Sequence, residues 1–252
     1  MGLDPNRVTQ QRKVLKGRVG RGVTRAFSVL YPVYSSEDDL FMEQISRYLK
    51  RDFFVLDAGC GSGTSFRYPW RYQVRFLVGC DIEESVAQNT NIEAGVVTDL
   101  TSLPFGSQKF DLVFCRYVLE HLDDPRKTFA EFARILKPRG KVVMLTPSKY
   151  HYVVLASRLT PHFFHEIIST IRGNTPADTF PTKYLANSKT EIVRYAEKVG
   201  LRLREYVARE VCPNYLLWSL PPFLIGVVYE RIVNRFEWLN PFRVAIIAVF
   251  ER

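Results

Sequence analysis

The sequence predicts an α/β fold in which a Rossmann-like, mostly parallel sheet of seven strands is covered by helices on both faces. Two observations favour this fold. Short apolar runs that end in an acid or in glycine alternate with stretches of helical character between residues 53 and 147. The first of these runs leads into a loop with glycine at every second position. Alternation of strands and helices at this spacing is typical of a parallel sheet that is buried on both sides.

Apolar periodicity and capping residues give the order of the elements. The predicted strands cover 53–57, 74–81, 95–99, 110–115, 141–146, 201–211 and 243–250. The predicted helices begin near Thr64, follow the caps Ser36 and Ser188, and cover 37–50, 83–89, 125–136, 189–198 and part of 214–238. The last two strands are expected to form a hairpin-like pair at one edge of the sheet.

The composition is that of a globular protein with one sizeable core. Hydrophobic residues make up 46% of the 252 residues and charged residues 24%, which excludes wholesale disorder. The net charge is +9, and +6 of it lies within residues 1–30. We therefore expect residues 1–25 to form a flexible basic arm, solvated in preference to bound to nucleic acid or anionic lipid. In this prediction the arm and a capping helix occupy residues 1–50, and one domain occupies residues 51–252.

The cysteines and the long apolar segment bear on location. Cys60, Cys80, Cys115 and Cys212 show no C-x-x-C spacing, so the sequence predicts no metal site and favours reduced thiols in a cytoplasmic protein. No apolar N-terminal run suggests a signal peptide. Residues 211–229 carry no charge, but three prolines argue against a spanning helix. This segment and the basic arm together offer peripheral contact at a membrane surface.

Residues 147–186 interrupt the regular order of the sheet. They contain four prolines, many aromatic residues and three histidines, His151, His162 and His165. A long aromatic insertion after a regular sheet is typical of a binding lid. We therefore expect a substrate lid over 147–186.

The glycine loop favours a ligand with a cationic part. Gly59, Gly61 and Gly63 allow positive φ and a close approach of a ligand to the main chain. A dinucleotide fingerprint is the main alternative, but its third glycine would fall on Thr64. Asp57, two residues before the first glycine, would repel a pyrophosphate and suits an ammonium group. The loop therefore favours an amino-acid-bearing nucleoside.

Three acids lie at the carboxyl ends of successive strands, where open parallel sheets bind ligands. They are Asp57, Asp81 and Asp99. Asp81 lies 22 residues beyond Gly59, where a carboxylate that accepts hydrogen bonds from a ribose diol is expected. Asp99 is placed to accept from an exocyclic amine, with Leu100 packing on the base. Each acid alone is equally compatible with a strand-end turn.

These motifs resemble the class I S-adenosylmethionine-dependent methyltransferases, particularly the subgroup of the quinone-biosynthesis enzymes. The resemblance extends over about 53–147 and is carried, in order, by the motifs VLDAGCGSG at 55–63, GCD at 79–81, TDL at 98–100, LPF at 103–105, FDLV at 110–113, VLEHL at 118–122 and RILKPRG at 134–140. Arg139 departs from the family, which usually has glycine there, and this change is expected to affect the turn that ends the helix.

The resemblance implies a cofactor, S-adenosyl-L-methionine, with S-adenosyl-L-homocysteine as product. It implies that Asp57, Gly59, Cys60, Gly61 and Gly63 hold the methionine part. It implies that Asp81 holds the ribose, that Ile82 beside it also binds the cofactor, that Asp99 and Leu100 hold the adenine, and that Cys115 and Arg116 lie near the methyl-bearing end. Packing is the preferred role for His121 of the family's helix motif.

The acceptor is less defined than the cofactor. We expect a small-molecule, lipid-linked or glycan acceptor, most simply an O-methylation, and an oxygen acceptor needs a base only if it must lose a proton. His151, His162 and His165 of the predicted lid are the base candidates. A short likeness of residues 178–184 to methyltransferases found near bacterial polysaccharide genes is compatible with a glycan.

Three alternatives stay open. An RNA methyltransferase would suit the basic arm, although Cys115-Arg116-Tyr117 replaces the Asn/Asp-Pro-Pro-aromatic motif of amino-nitrogen methylation. A regulatory protein that binds the cofactor without turnover is the second alternative. A nicotinamide dehydrogenase is the third.

Overall fold

The computed structural model describes Val19, residues 22–159 and residues 181–252. Contacts within the chain divide it into two compact units. The sheet unit comprises residues 38–149, 181–208 and 245–252. The helical unit comprises residues 209–244 and the described parts of 1–37 and 150–180. The predicted boundary at residue 50 stays a prediction.

Seven strands form one sheet, as the sequence predicted. The strands are β1 (Phe54–Ala58), β2 (Phe76–Asp81), β3 (Ala94–Val97), β4 (Phe110–Arg116), β5 (Leu136–Pro147), β6 (Arg202–Arg209) and β7 (Ala245–Glu251). Their order across the sheet is β3-β2-β1-β4-β5-β7-β6. The pairs from β3 to β5 are parallel, and β7 runs antiparallel to β5, so that Lys141 faces Glu251 and Pro147 faces Ala245. The order of the strands reverses between β1 and β4, and the carboxyl ends of these two strands flank the crevice where such sheets bind ligands.

Six α-helices occur among the described residues. They are α1 (Val23–Leu30), α2 (Glu37–Ser46), α3 (Pro125–Ile135), α4 (Tyr152–Leu159), α5 (Lys189–Lys198) and α6 (Leu220–Arg235). Short 3-10 turns lie at Trp70–Tyr72, Glu84–Gln88, Leu119–His121, Asn214–Leu216 and Glu237–Phe242. No helix in the described part of the chain has both the length and the apolar composition needed to cross a bilayer.

Two helices of the sheet unit begin where the sequence predicted. Asp124 accepts a hydrogen bond from the Lys127 N–H at 3.2 Å, with Pro125 in the first turn. Ser188 Oγ accepts from the Glu191 N–H at 3.4 Å and donates to Glu191 Oε2 at 2.8 Å. These local bonds, and Pro125 in the first turn of α3, explain why both starts were predicted correctly.

The predicted helix near Thr64 is wrong. After the glycine loop the chain is irregular until the 3-10 turn at Trp70. Pro69 disfavours helical geometry at Tyr68. Phe66, Tyr68 and Trp70 recur at every second position, the period of an extended chain, and pack together, with Tyr68 and Trp70 stacked at 4.6 Å between ring centroids. Phe114 of β4 meets both of these rings edge-on, so aromatic packing replaces the expected helix.

Arg139 has a different setting from the one predicted. Helix α3 ends at Ile135, and residues 136–147 form β5, so Arg139 lies in a strand and not in the turn that ends the helix. Its φ is +66°, in the left-handed region that favours glycine. The Arg139 N–H donates to the carbonyl of Arg252 at 3.0 Å. The residue that departs from the family therefore lies near the start of β5.

The helical unit has its own small core. Val23 and Phe27 of α1 are buried with Tyr31, Tyr34 and Phe223. The Phe27 ring lies 5.0 Å from Tyr31 and 6.2 Å from Phe223 of α6. The basic N-terminal stretch thus runs into a packed helix at Val23, inside the segment predicted as an arm.

Several predictions fall outside the described residues. These are the arm up to residue 18, most of the lid, and the base candidates His162 and His165. Of the lid, the structure describes the end of β5, helix α4 and residues 181–186. The lid and the arm stay predictions.

Candidate functional site

The glycine loop after β1 is closed on two sides and open on one. Gly59, Gly61 and Gly63 all have positive φ, at 75°, 51° and 73°. A Cβ at Gly59 would overlap Val118, and one at Gly63 would overlap Asn89. A Cβ at Gly61 would meet nothing within 4 Å. Gly61 therefore lies where another molecule can approach the main chain closely.

Two asparagines hold the loop in place. Asn89 Nδ2 donates to the carbonyls of Cys60 and Gly61, each at 3.2 Å. Asn91 Nδ2 donates to the carbonyls of Gly63 at 2.9 Å and Phe66 at 3.1 Å. The sequence analysis missed both residues, and their only signal is the N-x-N spacing in the Asn89-Thr90-Asn91 segment that follows the 3-10 turn.

Asp81, at the end of β2, is bound to the loop. The Gly61 N–H donates to Asp81 Oδ2 at 2.8 Å, and the Glu83 N–H donates to Asp81 Oδ1 at 3.0 Å. A carboxylate oxygen offers about two acceptor positions. Each oxygen of Asp81 therefore keeps one position for a further donor, which suits a pair of hydroxyl groups.

Asp57, at the end of β1, is buried with only 4% of its surface exposed. The Tyr68 hydroxyl donates to Asp57 Oδ2. Burial raises the pKa of Asp57 to about 7, although the Tyr68 hydrogen bond and the charge of Arg116 lower it and the charge of Asp81 raises it. The carboxyl predicted to meet a cation is in this structure engaged by a phenol.

The other predicted cofactor residues are spread around this crevice. Asp99 is exposed, and its Oδ1 accepts from the Thr101 N–H at 2.7 Å, while Leu100 beside it is buried. Ile82 follows Asp81 with 62% of its surface exposed. An exposed apolar side chain beside the carboxylate can pack on a ring. β1, β2 and β3 are adjacent in the sheet, so the structure brings the three predicted acids to one edge.

Cys115 and Arg116, at the end of β4, have structural partners. Cys115 is fully buried, and burial raises the pKa of its thiol. Arg116 makes a two-point ion pair with Asp38 of α2, at 2.6 and 3.0 Å, and its guanidinium lies 4.8 Å from the Phe66 ring centroid. Arg116 thus ties α2 to the carboxyl end of β4 and lends positive charge to Asp57.

Glu120 is a second buried carboxyl near the same ends of the strands. Thr146 Oγ1 donates to Glu120 Oε2 at 3.0 Å, and Asn187 Nδ2 donates to Thr146 Oγ1 at 2.6 Å. Burial raises the pKa of Glu120 to about 7. The backbone carbonyl of Glu120 accepts from the Lys183 and Tyr184 N–H groups at 2.7 and 3.2 Å. The sequence analysis read Glu120 only as part of a family motif, and here it anchors the segment that re-enters the sheet unit.

His151 belongs to the helical unit and is 1% exposed. Its Nε2 lies 3.3 Å from Glu210 Oε2, which also accepts from the Val244 N–H at 2.7 Å. The Tyr152 ring lies 4.2 Å from the imidazole, centroid to centroid. In the described residues no hydrogen bond satisfies either ring nitrogen. A buried imidazole next to a carboxylate is an arrangement that can accept and stabilise a proton.

Comparisons with known proteins agree with the motifs. A family profile described as "Methyltransferase domain" matches residues 56–144. An uncharacterized protein of Methanocaldococcus jannaschii is 35% identical over 118 residues, 44% of this chain and 51% of that protein. A malonyl-[acyl-carrier protein] O-methyltransferase of Hahella chejuensis is 35% identical over 99 residues, 36% of each chain. The chain thus spans about half and about a third of these two relatives. A ubiquinone biosynthesis O-methyltransferase of Coxiella burnetii is 26% identical over 213 residues, 78% of this chain and 76% of that protein.

Solved structures share the fold. An S-adenosylmethionine-dependent methyltransferase from Mesorhizobium loti superposes with a TM-score of 0.54 at 14% identity, covering 86% of this chain and 99% of that one. A chain from the complex between the Haloferax volcanii Trm112 methyltransferase activator and a provisionally assigned methyltransferase gives 0.56 at 19% identity, covering 85% and 93%. At these identities the similarity shows the fold alone.

Proposed function

Because the chain belongs to the class I S-adenosylmethionine-dependent methyltransferases, we propose that it transfers a methyl group to an oxygen of a small-molecule, lipid-linked or glycan acceptor. The observation that carries the proposal is the joint geometry of Gly61 and Asp81. The loop is open at Gly61, and the Asp81 carboxylate beside it keeps two acceptor positions.

The residues present fit the cofactor of this family. Asp81 would hold the ribose diol, and Ile82 and Leu100 would pack on the base, with Asp99 accepting from its amine. Gly59, Gly61 and Gly63 would receive the methionine part. Asp57 would meet the ammonium group once it gives up the Tyr68 hydroxyl, because a buried carboxylate gains a cationic partner there.

The cofactor supplies a methyl group on a sulfonium, which is already activated for displacement. The chain's residues then need to position the acceptor in line and to exclude water. The loop clamped by Asn89 and Asn91 would hold the cofactor in a fixed position for this displacement. The predicted lid would exclude water.

An oxygen acceptor is supported by the relatives' names, a ubiquinone biosynthesis O-methyltransferase and a malonyl-[acyl-carrier protein] O-methyltransferase. His151, His162 and His165 stay the base candidates. Of these, His151 lies among the described residues, and its Nε2 is 3.3 Å from Glu210 Oε2.

The test uses methyl-labelled S-adenosylmethionine and a fractionated cell extract. We expect label in the lipid, glycan or small-molecule fraction, lost with Asp81→Asn and retained with Asp52→Asn, which makes the same change of charge at an exposed position. His151→Asn should lower turnover and leave S-adenosylhomocysteine binding intact. If His151→Asn incorporated label at an unchanged rate, this histidine would not be the base.

Two other outcomes carry their own conclusions. The net charge of +6 within residues 1–30 favours RNA as a second acceptor class, and label in the RNA fraction with salt-dependent affinity would establish it. Cofactor binding without label in any fraction would favour a regulatory protein, or an enzyme that needs a protein activator, as the Trm112 complex suggests for its own methyltransferase.

A further inference from the structure

Helix α6 is apolar on two opposite faces. One face is buried in the helical unit and includes Phe223, Val227 and Val233. Gly226 lies on this face too, where a Cβ would overlap Pro213, so the helix packs closely there. A globular helix with one buried face ordinarily presents polar residues on the other. α6 does not follow this pattern.

The opposite face of α6 is apolar and open to solvent. Its apolar residues are Leu224, Ile225, Val228 and Ile232, and each is between 43% and 69% exposed. Positions 225, 228 and 232 share one side of a helix, because they are three and four residues apart. Phe236 and Trp238, at 47% and 74% exposure, follow at the end of the helix, and Trp218 precedes it. We call these seven residues the α6 surface.

Arg231 and Arg235 lie beside the α6 surface and are exposed on the last two turns of α6. The one acid within the helix, Glu230, is 4% exposed, is bound to Asn234 and Tyr31, and has its Oε2 3.3 Å from Arg231 Nε. Glu237, between Phe236 and Trp238, is exposed and pairs with Arg243 at 3.0 Å. Arg231 also donates to the carbonyl of Leu30 at 3.1 Å, which joins this end of α6 to the end of α1. The strongly basic residues 1–25 lead into α1.

We propose that the α6 surface docks on an anionic lipid bilayer, with Ile225, Val228 and Ile232 entering the headgroup boundary and Arg231 and Arg235 pairing with lipid phosphates. Apolar residues, tryptophans and arginines on one side of a helix are the combination that lies in a membrane interface. The sequence analysis placed this contact at 211–229. The structure moves it toward the C-terminal end of α6, because Val211, Cys212 and Leu217 are buried.

Charge favours lipid over a second copy of the chain. Residues 1–30 carry a net charge of +6 and run into α1, whose end is joined to α6 by the bond from Arg231 to Leu30. A symmetric dimer through the α6 surface would bring two such charges together, whereas anionic headgroups attract them. This docking does not require methyl transfer, and it would bring a lipid-linked acceptor to the protein.

The test measures sedimentation of the full chain with vesicles of phosphatidylcholine alone and of phosphatidylcholine with about one-third phosphatidylglycerol. We expect binding to the anionic vesicles, weakened at high salt. The double substitution Ile225→Ser with Val228→Ser should weaken binding at least about tenfold, and Arg235→Gln about fivefold. Tyr72→Ser is the matched control, since it removes an exposed apolar side chain from the sheet unit. Trp238 emission should shift to the blue on binding.

Other results would overturn the proposal. Equal binding by the double variant would place the lipid contact elsewhere, for example on the basic arm. A concentration-dependent dimer that the double variant abolishes would assign the face to a second copy. No binding to either vesicle would exclude lipid as the occupant of the α6 surface. S-adenosylhomocysteine binding, measured on the same preparations by calorimetry, reports separately whether the cofactor site is intact.

Discussion

The glycine loop and the cluster around His151 bury polar groups in opposite ways. In the loop, residues 20 to 29 positions apart satisfy one another. Asn89 bonds to Cys60 and Gly61, and Asp81 bonds to Gly61. The cluster in the helical unit joins residues that lie far apart. Glu210 meets His151 and Val244, and Tyr31 donates to Glu230, 199 residues away. The loop keeps acceptor positions of Asp81 for a ligand, whereas in the cluster the carboxylates are bound and the two ring nitrogens of His151 have no hydrogen bond among the described residues.

The largest expected effect is on the stability of the helical unit. Arg243 is buried, and it donates to the carbonyls of Val233 at 2.7 Å and Phe236 at 3.2 Å and to Glu237 at 3.0 Å. Arg243→Ala leaves buried carbonyls without donors and should lower the free energy of unfolding by about 3 kcal/mol. Urea unfolding followed by tryptophan fluorescence measures it. Arg235→Ala, on an exposed helix surface, should change stability by less than about 0.5 kcal/mol. A loss with Arg243→Ala no larger than the small loss with Arg235→Ala would show that the Arg243 hydrogen bonds contribute no stability.

A pH effect is next in size and concerns the sheet unit. Asp57 has a folded pKa of about 7, raised above the ordinary value of 3.8. The folded protein therefore holds a proton that the unfolded chain releases, and the free energy of unfolding falls as pH rises from about 4 to about 7. The loss should be about 3 kcal/mol across the window and level off above it.

Asp57→Asn should flatten this fall, because the amide cannot ionise and still accepts from Tyr68. Glu120, with its pKa also near 7, contributes a fall of the same sign in both proteins. The measured quantity is therefore the difference between the two unfolding curves at about pH 5 and about pH 7.5. If both proteins lost the same free energy of unfolding between these pH values, Asp57 would not be the source of the loss.

Asp81→Asn should affect ligand binding more than folding. Losing the charge removes one acceptor position for the ribose diol, and we expect S-adenosylhomocysteine affinity to fall about thirtyfold, or about 2 kcal/mol. Isothermal calorimetry measures it, with Asp52→Asn as the charge-matched control. If Asp81→Asn also lowered the melting temperature and Asp52→Asn did not, Asp81 would act mainly by holding Gly61 in place.

The smallest effect on stability separates two glycines. Gly61→Ala meets no atoms, so only its positive φ opposes it, at about 1 kcal/mol. Gly59→Ala adds overlap with Val118 and should destabilise the fold further. We expect Gly61→Ala to fold and to bind S-adenosylhomocysteine poorly. Normal binding by Gly61→Ala would show that the ligand does not approach the main chain there.

Local patterns predicted most of the fold and part of the site. The strands, the helix start at Ser188 and the position of Asp81 beside the glycine loop were predictable from local sequence patterns. The helix at Thr64 failed because packing of Phe66, Tyr68 and Trp70 on Phe114 overrides local propensity. The His151–Glu210 pair joins positions 59 residues apart, so no spacing rule predicts it. The exposed face of α6 could not be predicted, because its apolar residues look like core residues in the sequence. Only the structure shows which of them are buried.

The asparagine clamp has a consequence for the speed of recognition. Asn89 and Asn91 fix the carbonyls of four residues of the loop and of the segment after it by bonds within the protein. A cradle already ordered before its guest arrives has little conformational freedom left to lose on binding. Association then resembles diffusion onto a rigid surface, and residence time alone should distinguish a cofactor from a close analogue.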